Sequence, residues 1–123
     1  MGEALVVRYM RYRGEFPART FLDSKCTTEE RARFLALAKQ LASQGSLPGR
    51  SFGHFLKGEF SKIYELKPFG KRFFGFFIDT SFYVVSAAPK RNPKEQVADY
   101  ERAMKLRADF LQGLEKAKQT KAK

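Results

Sequence analysis

Among its 123 residues the chain has no tryptophan, one cysteine and one histidine. Cys26 has no second cysteine to pair with, so an internal disulfide is excluded and a reducing cytoplasm suits the chain. With no Cys/His constellation around it, Cys26 reads as a small semi-buried side chain rather than a nucleophile. The same scarcity excludes Cys/His zinc sites. No glycine-rich loop matches a phosphate-binding or dinucleotide fingerprint, and no Ser/His/Asp spacing points to a hydrolase triad. No apolar run approaches the length of a membrane span, and the N-terminus lacks the long apolar core of a signal peptide. Acidic residues are scarce as well: 13 Asp and Glu face 24 Lys and Arg, a net charge of +11.

The rest of the composition describes a folded domain. Hydrophobic residues make up 43% and aromatics 15%, too many for a disordered chain. The length is enough to bury a core without disulfide or metal. The reading is one domain over 1–115 with a basic tail, 116–123, expected to fray. There is no internal repeat and no linker.

Three apolar runs, 63–66, 73–78 and 82–88, are separated by Pro68-Phe69-Gly70 and Asp79-Thr80-Ser81. Such short gaps cannot carry the chain back for a parallel strand, so the spacing predicts a three-stranded antiparallel meander. Upstream, Leu5 to Arg13 reads as a first strand, with Val7, Tyr9 and Arg11 on one face and Arg8, Met10 and Tyr12 on the other. Phe16 to Asp23, with Pro17 at its start, fits one short helical turn. Thr27-Thr28-Glu29-Glu30 forms a capping box. From it Ala32, Leu35, Ala36, Ala38, Leu41 and Ala42, with Phe34 and Leu37 beside them, make a helical stripe that ends at Gly45. Ser46 to Phe55 reads as a loop. A second helix starts at Asn92 as N-cap, Pro93 and Glu95, with Val97, Tyr100, Met104, Leu111 and Leu114 at helical spacing. The fold class is α+β: a small twisted antiparallel sheet with a C-terminal meander, N-terminal helices and a C-terminal helix. The helices are expected on one face, leaving a basic face open.

The positive charge is densest in 50–91, where Arg50, Lys57, Lys62, Lys67, Lys71, Arg72, Lys90 and Arg91 are opposed only by Glu59, Glu65 and Asp79. Cations at strand ends and turns suit a polyanion, whether a phosphate backbone, an anionic membrane or an acidic protein. Basic side chains can also cleave RNA without metal. The 2′-hydroxyl loses a proton as it attacks phosphorus, and Arg or Lys stabilises the charge that develops. A lysine crowded by cations has a lowered pKa and can serve as base. Taken singly, each of these residues reads first as a solvated surface charge. His54 is either an acid–base group or a loop histidine bonded to backbone. Tyr64, Tyr83 and Tyr100 complete the candidate set. Phe73, Phe74, Phe76 and Phe77 occupy both faces of a central strand and read mainly as core, with room for one or two exposed rings to stack on bases.

The order of these pieces resembles the RelE/HigB toxin superfamily, in particular its phage-derived HigB-like branch. The resemblance covers residues 5 to about 112. Its landmarks are Arg13-Gly-Glu-Phe-Pro17, Leu56-Lys-Gly58, Ile63-Tyr-Glu-Leu-Lys67, Gly70-Lys-Arg-Phe-Phe74, the pair Lys90-Arg91 and the proline-led last helix. It implies a RelE-like fold and a cytoplasmic, ribosome-dependent mRNA endoribonuclease that inhibits translation without metal or cofactor. Its partners would be ribosome, mRNA and the cognate antitoxin of a type II toxin–antitoxin module, with no membrane. By position, Arg72 would hold the scissile phosphate, Lys67 would be a basic neighbour on the preceding strand, and Lys90 and Arg91 would contact phosphate and leaving group. His54 and Lys57 match a histidine and lysine that some HigB-like members place before the meander. Lys57, Lys62, Lys71 and Arg50 are the RNA-binding candidates. Glu65 stands where several ribonucleases of the superfamily have lysine, although the HigB-like branch commonly has Glu there, and Ala87-Ala88-Pro89 replaces a glycine and an aromatic. Tyr100, nearest to the terminal tyrosine of some members, is expected to pack within its helix. The alternatives are a catalytically inactive RelE-like module that binds RNA or antitoxin, and a basic partner of an acidic protein.

Overall fold

A computed structural model describes residues 5–121. The elements are β1 (Val6–Tyr9), α1 (Pro17–Lys25), α2 (Thr28–Gln44), β2 (Gly53–Phe55), β3 (Tyr64–Leu66), β4 (Lys71–Ile78), β5 (Ser81–Pro89) and α3 (Pro93–Lys121). The fold is α+β, with a five-stranded mixed sheet in the order β1-β5-β4-β3-β2. None of the helices described is long and apolar enough to cross a membrane.

The meander forms as expected: β3, β4 and β5 are antiparallel neighbours joined by the two predicted turns. The sheet as a whole is not antiparallel, because β1 lies parallel to β5. Turn signals fix the direction of strands joined by short loops; β1 pairs with a strand more than seventy residues away, on which they say nothing. The predicted loop 46–55 also yields a strand, since β2 pairs antiparallel with β3 through Gly53, His54 and Phe55. Gly53 permits that approach. A Cβ there would stand 2.7 Å from both the Glu65 carbonyl oxygen and Leu47 Cδ1.

The capping box of α2 closes in both directions. Thr27 Oγ1 accepts from the Glu30 amide at 3.1 Å, and Glu30 Oε1 accepts from the Thr27 amide at 2.9 Å. The helix buries Phe34, Leu37, Ala38 and Leu41, whereas Ala32, Leu35 and Ala36 of the expected stripe are exposed. Phe34, the largest of these side chains, takes the core, and the helix is turned accordingly. α1 has nine residues rather than a single turn, and α3 continues to Lys121 through most of the stretch expected to fray.

Two cores result, one on each face of the sheet. On the first, Ala18 and Leu22 of α1 and Phe34, Leu37 and Leu41 of α2 pack against Tyr64, Leu66, Phe73, Phe82 and Val84. On the second, Ala103 and Leu106 of α3 cover Ile63, Phe74, Phe76, Val85 and Ala88. The expectation of helices on one face is therefore corrected. Phe73 and Phe74, neighbours on β4, point to opposite faces and are both fully buried. Burying such a ring is worth about 1.5–3 kcal/mol, so neither face can stay open to water. What remains open is the end of the sheet beside the first turns of α3.

Candidate active site

That open end is a cleft of about 210 Å³ lined by His54, Glu65, Lys67, Arg72, Lys90, Arg91, Pro93, Gln96 and Tyr100. Strand register explains the gathering. His54 on β2 is paired with Glu65 on β3, and Glu65 with Phe74 on β4. Alternation along each strand sends Tyr64 and Leu66 to the α1–α2 core, leaving Glu65 and Lys67 on the α3 side. Arg72 lies two residues before Phe74, on the same side. Lys90 and Arg91 follow the last residue of β5. α3 then begins over the cleft, because the Glu95 amide donates to Asn92 Oδ1 at 2.9 Å and Pro93 occupies the first helical position. The Asn92 side-chain amide also bonds the Glu95 carboxylate. Gln96 and Tyr100, four residues apart on α3, line the same wall.

The centre of the cleft is a buried carboxylate. Glu65 is only 3% exposed, with His54 Nε2 at 3.5 Å and Lys67 Nζ at 3.9 Å from its Oε1. Burial pushes the Glu65 carboxyl above its ordinary range, against the pull of Lys67, Arg72 and Arg50. Burial pushes His54 the other way. The carbonyl of Phe55 opposes that shift, and Lys67, Arg50 and Lys57 add to it. His54 Nδ1 lies 2.8 Å from the Phe55 carbonyl, which can only accept, so Nδ1 carries hydrogen. In the neutral ring Nε2 is then the bare nitrogen, turned toward Glu65. A nitrogen that can take a proton thus stands 3.5 Å from a carboxyl that burial inclines to keep one.

Around it stand the cations. Lys67 is lowered chiefly by burial, held up by Glu65, and lowered further by Arg72, Arg50 and Lys90. Arg72 Nη1 donates to the carbonyls of Phe69 and Lys71, each at 2.8 Å. The guanidinium is thereby fixed, and its other donors have no protein partner among the described residues. Arg91 is neutralised by Asp99, whose Oδ2 accepts from Arg91 Nε at 3.0 Å and Gln96 Nε2 at 2.9 Å. Tyr100 packs as expected, against Phe60 and Phe74, yet it also reaches the cleft. Burial, reinforced by the charge of Glu65, raises its pKa, so the phenol stays protonated at neutral pH.

The five residues picked out for catalysis, His54, Lys67, Arg72, Lys90 and Arg91, thus converge. The other four cations do not line the cleft. Arg50 and Lys57 act on it only through their field, Lys62 is exposed in the loop before β3, and Lys71 is on the opposite face. There Lys71 Nζ bonds both Glu30 oxygens, at 2.9 and 3.1 Å. Glu65 and Gln96 are lining groups that the sequence reading left out of the candidate set, and Tyr100, named in it, was expected to pack rather than to reach the cleft. Glu65 carried a signal, since a carboxylate between Tyr64 and Leu66, two residues from Lys67, alternates onto the cationic face. Gln96 carried none. Comparison with protein-family models and with curated proteins gives no match to this sequence.

Proposed function

We propose that the chain is a toxin-type endoribonuclease that cleaves ribosome-bound mRNA without a metal, inhibits translation, and is held in check by a small antitoxin protein. The observation that carries this reading is the pairing of buried Glu65 with His54 beside a clamped Arg72. An acid–base couple and an anion clamp in one cleft are what phosphodiester transesterification requires. The 2′-hydroxyl gives its proton to the Glu65–His54 couple as its oxygen bonds phosphorus. Arg72 and Lys90 hold the non-bridging oxygens as charge builds. The P–O5′ bond breaks, and the departing oxygen takes a proton from a protonated donor on the cleft wall, for which Tyr100 and Lys67 are placed. The products are a 2′,3′-cyclic phosphate and a 5′-hydroxyl. The motif order from Ile63 to Arg91 supports the same family of activities.

The test is purified protein added to ribosomes programmed with a defined mRNA. Wild type should cut within the A-site codon and leave a cyclic phosphate, and Arg72→Ala should slow this by about 10²-fold or more. Binding to the programmed ribosome with no cleavage by wild type would favour a non-cleaving RNA-binding module instead.

A further inference from the structure

The four phenylalanines of β4 are committed to the two cores, and an open ring stands instead in the turn that leads to Arg72. Phe69, at the tip of the turn between β3 and β4, is 52% exposed. Its backbone has φ +58°, a left-handed conformation that side chains other than Gly, Asn and Asp rarely adopt. The strain is held at an exposed aromatic although a glycine follows it immediately in the chain. The Arg33 guanidinium of α2 lies over the ring, 4.6 Å from its centroid, and 5.8 Å from the centroid of Phe52. Arg33 makes no ion pair among the described residues, so its charge is not cancelled locally. The Phe69 carbonyl also accepts from Arg72 Nη1. One rigid turn therefore carries both an open ring backed by a cation and the backbone oxygen that fixes the cleft guanidinium.

We infer that Phe69 and Arg33 form a stacking platform for one nucleobase of a single-stranded RNA whose adjoining phosphate sits at Arg72. The inference rests on the reading of the cleft as an RNA site and extends it to a base-holding subsite outside the cleft. An aromatic face takes any base by stacking, and a neighbouring guanidinium strengthens the contact while attracting the phosphate. A purely apolar protein contact has no use for an uncancelled guanidinium over the ring. Because the turn sets the distance from ring to Arg72, the platform fixes which nucleotide is placed beside the scissile bond. Phe69 is thus a positioning residue.

The test uses the full chain and a short 2′-O-methyl RNA, which cannot be cleaved, carrying 2-aminopurine. The protein has no tryptophan, so the probe's fluorescence reports stacking directly. Wild type and Phe69→Tyr should quench the probe and bind alike. Phe69→Leu should lose the quench and bind about tenfold more weakly. Phe69→Asn, whose side chain suits the left-handed backbone, should lose binding in the same way while melting no lower than wild type, which separates stacking from folding. An RNA with an abasic site at the stacked position should bind wild type and Phe69→Leu equally. Equal affinity and quenching for wild type and Phe69→Leu on intact RNA would overturn the platform and return the ring to a protein-contact role. If Arg72→Ala still weakened binding in that case, the RNA reading of the cleft would stand without it. Failure of wild type to bind the free RNA would also overturn the platform, leaving the nuclease reading to the ribosome assay.

Discussion

His54 Nε2 faces Glu65 Oε1 at 3.5 Å across the β2–β3 pair, in register and on the α3 side of the sheet. The imidazole hydrogen is on Nδ1, bonded to Phe55, so in the neutral ring Nε2 is free to take up a proton beside the carboxyl. If they act as a unit in catalysis, Glu65→Gln and His54→Gln should each slow cleavage about 10²–10⁴-fold. The double variant should be no slower than the worse single one. Rates on programmed ribosomes measure this; multiplying losses would contradict it.

The same pair gives opposite dependences of stability on pH. Glu65 is raised above 4.5 in the folded chain, chiefly by burial, so its contribution is complete below that pH and lost as pH rises through the folded value. His54 is lowered from 6.5, chiefly by burial, so its contribution is present above 6.5 and lost as pH falls through the folded value. Glu65→Gln removes only the first slope. Its Tm should therefore gain on that of wild type as pH climbs from 4.5 toward neutrality, as thermal melts would record. Melting curves that keep a constant offset across that range would count against the raised carboxyl.

Lys71 and Glu30 link β4 to the start of α2, away from the cleft. Partial burial raises the Glu30 carboxyl, but the Thr27 hydrogen bonds and Lys71 outweigh it and hold it below 4.5. Thr27→Ala should cost about 1 kcal/mol of stability by opening the capping box. Lys71→Met should also lower stability, yet leave RNA cleavage unchanged, since its ammonium belongs to Glu30. A large loss of cleavage at unchanged stability would place Lys71 in the RNA site after all.

Gly75 sits at the β-bulge where the β4–β5 register shifts. A Cβ there would lie 2.4 Å from the Tyr83 carbonyl oxygen and 2.5 Å from Phe82 Cζ. Backbone cannot yield as a flexible side chain would. Gly75→Ala should destabilise the fold by at least about 2 kcal/mol, readable in urea unfolding.

The elements with local signals were legible in the sequence. Thr27 and Glu30 announce α2, Asn92 and Pro93 announce α3, and the two turns set off the meander. β2 was not, because the three residues Gly53–Phe55 carry no period and form a strand only by lying against β3. The direction of β1 was not, since it depends on a partner far along the chain. The cover on both faces could have been read from Phe73 and Phe74, which demand burial on opposite sides. In the cleft, Arg72, Lys67, Lys90 and Arg91 were legible as cations at strand ends and turns, and the family resemblance rather than the pattern set them apart from Lys57, Lys62 and Lys71. Glu65 was taken as a departure from lysine rather than as the group that His54 and Lys67 face. Lys71 was read as an RNA-binding cation beside Arg72, and strand alternation, which sends neighbours to opposite faces, takes it to Glu30 instead.

The central claim is that this cleft cuts mRNA, and induction in a bacterial cell tests it most directly. Wild type and Arg72→Ala would be induced in parallel, with growth and the 5′ ends of mRNA fragments followed together. The account predicts growth arrest with new ends inside codons for wild type, and growth with intact mRNA for Arg72→Ala at equal protein level. Intact mRNA and unimpeded growth with well-expressed wild type would contradict it.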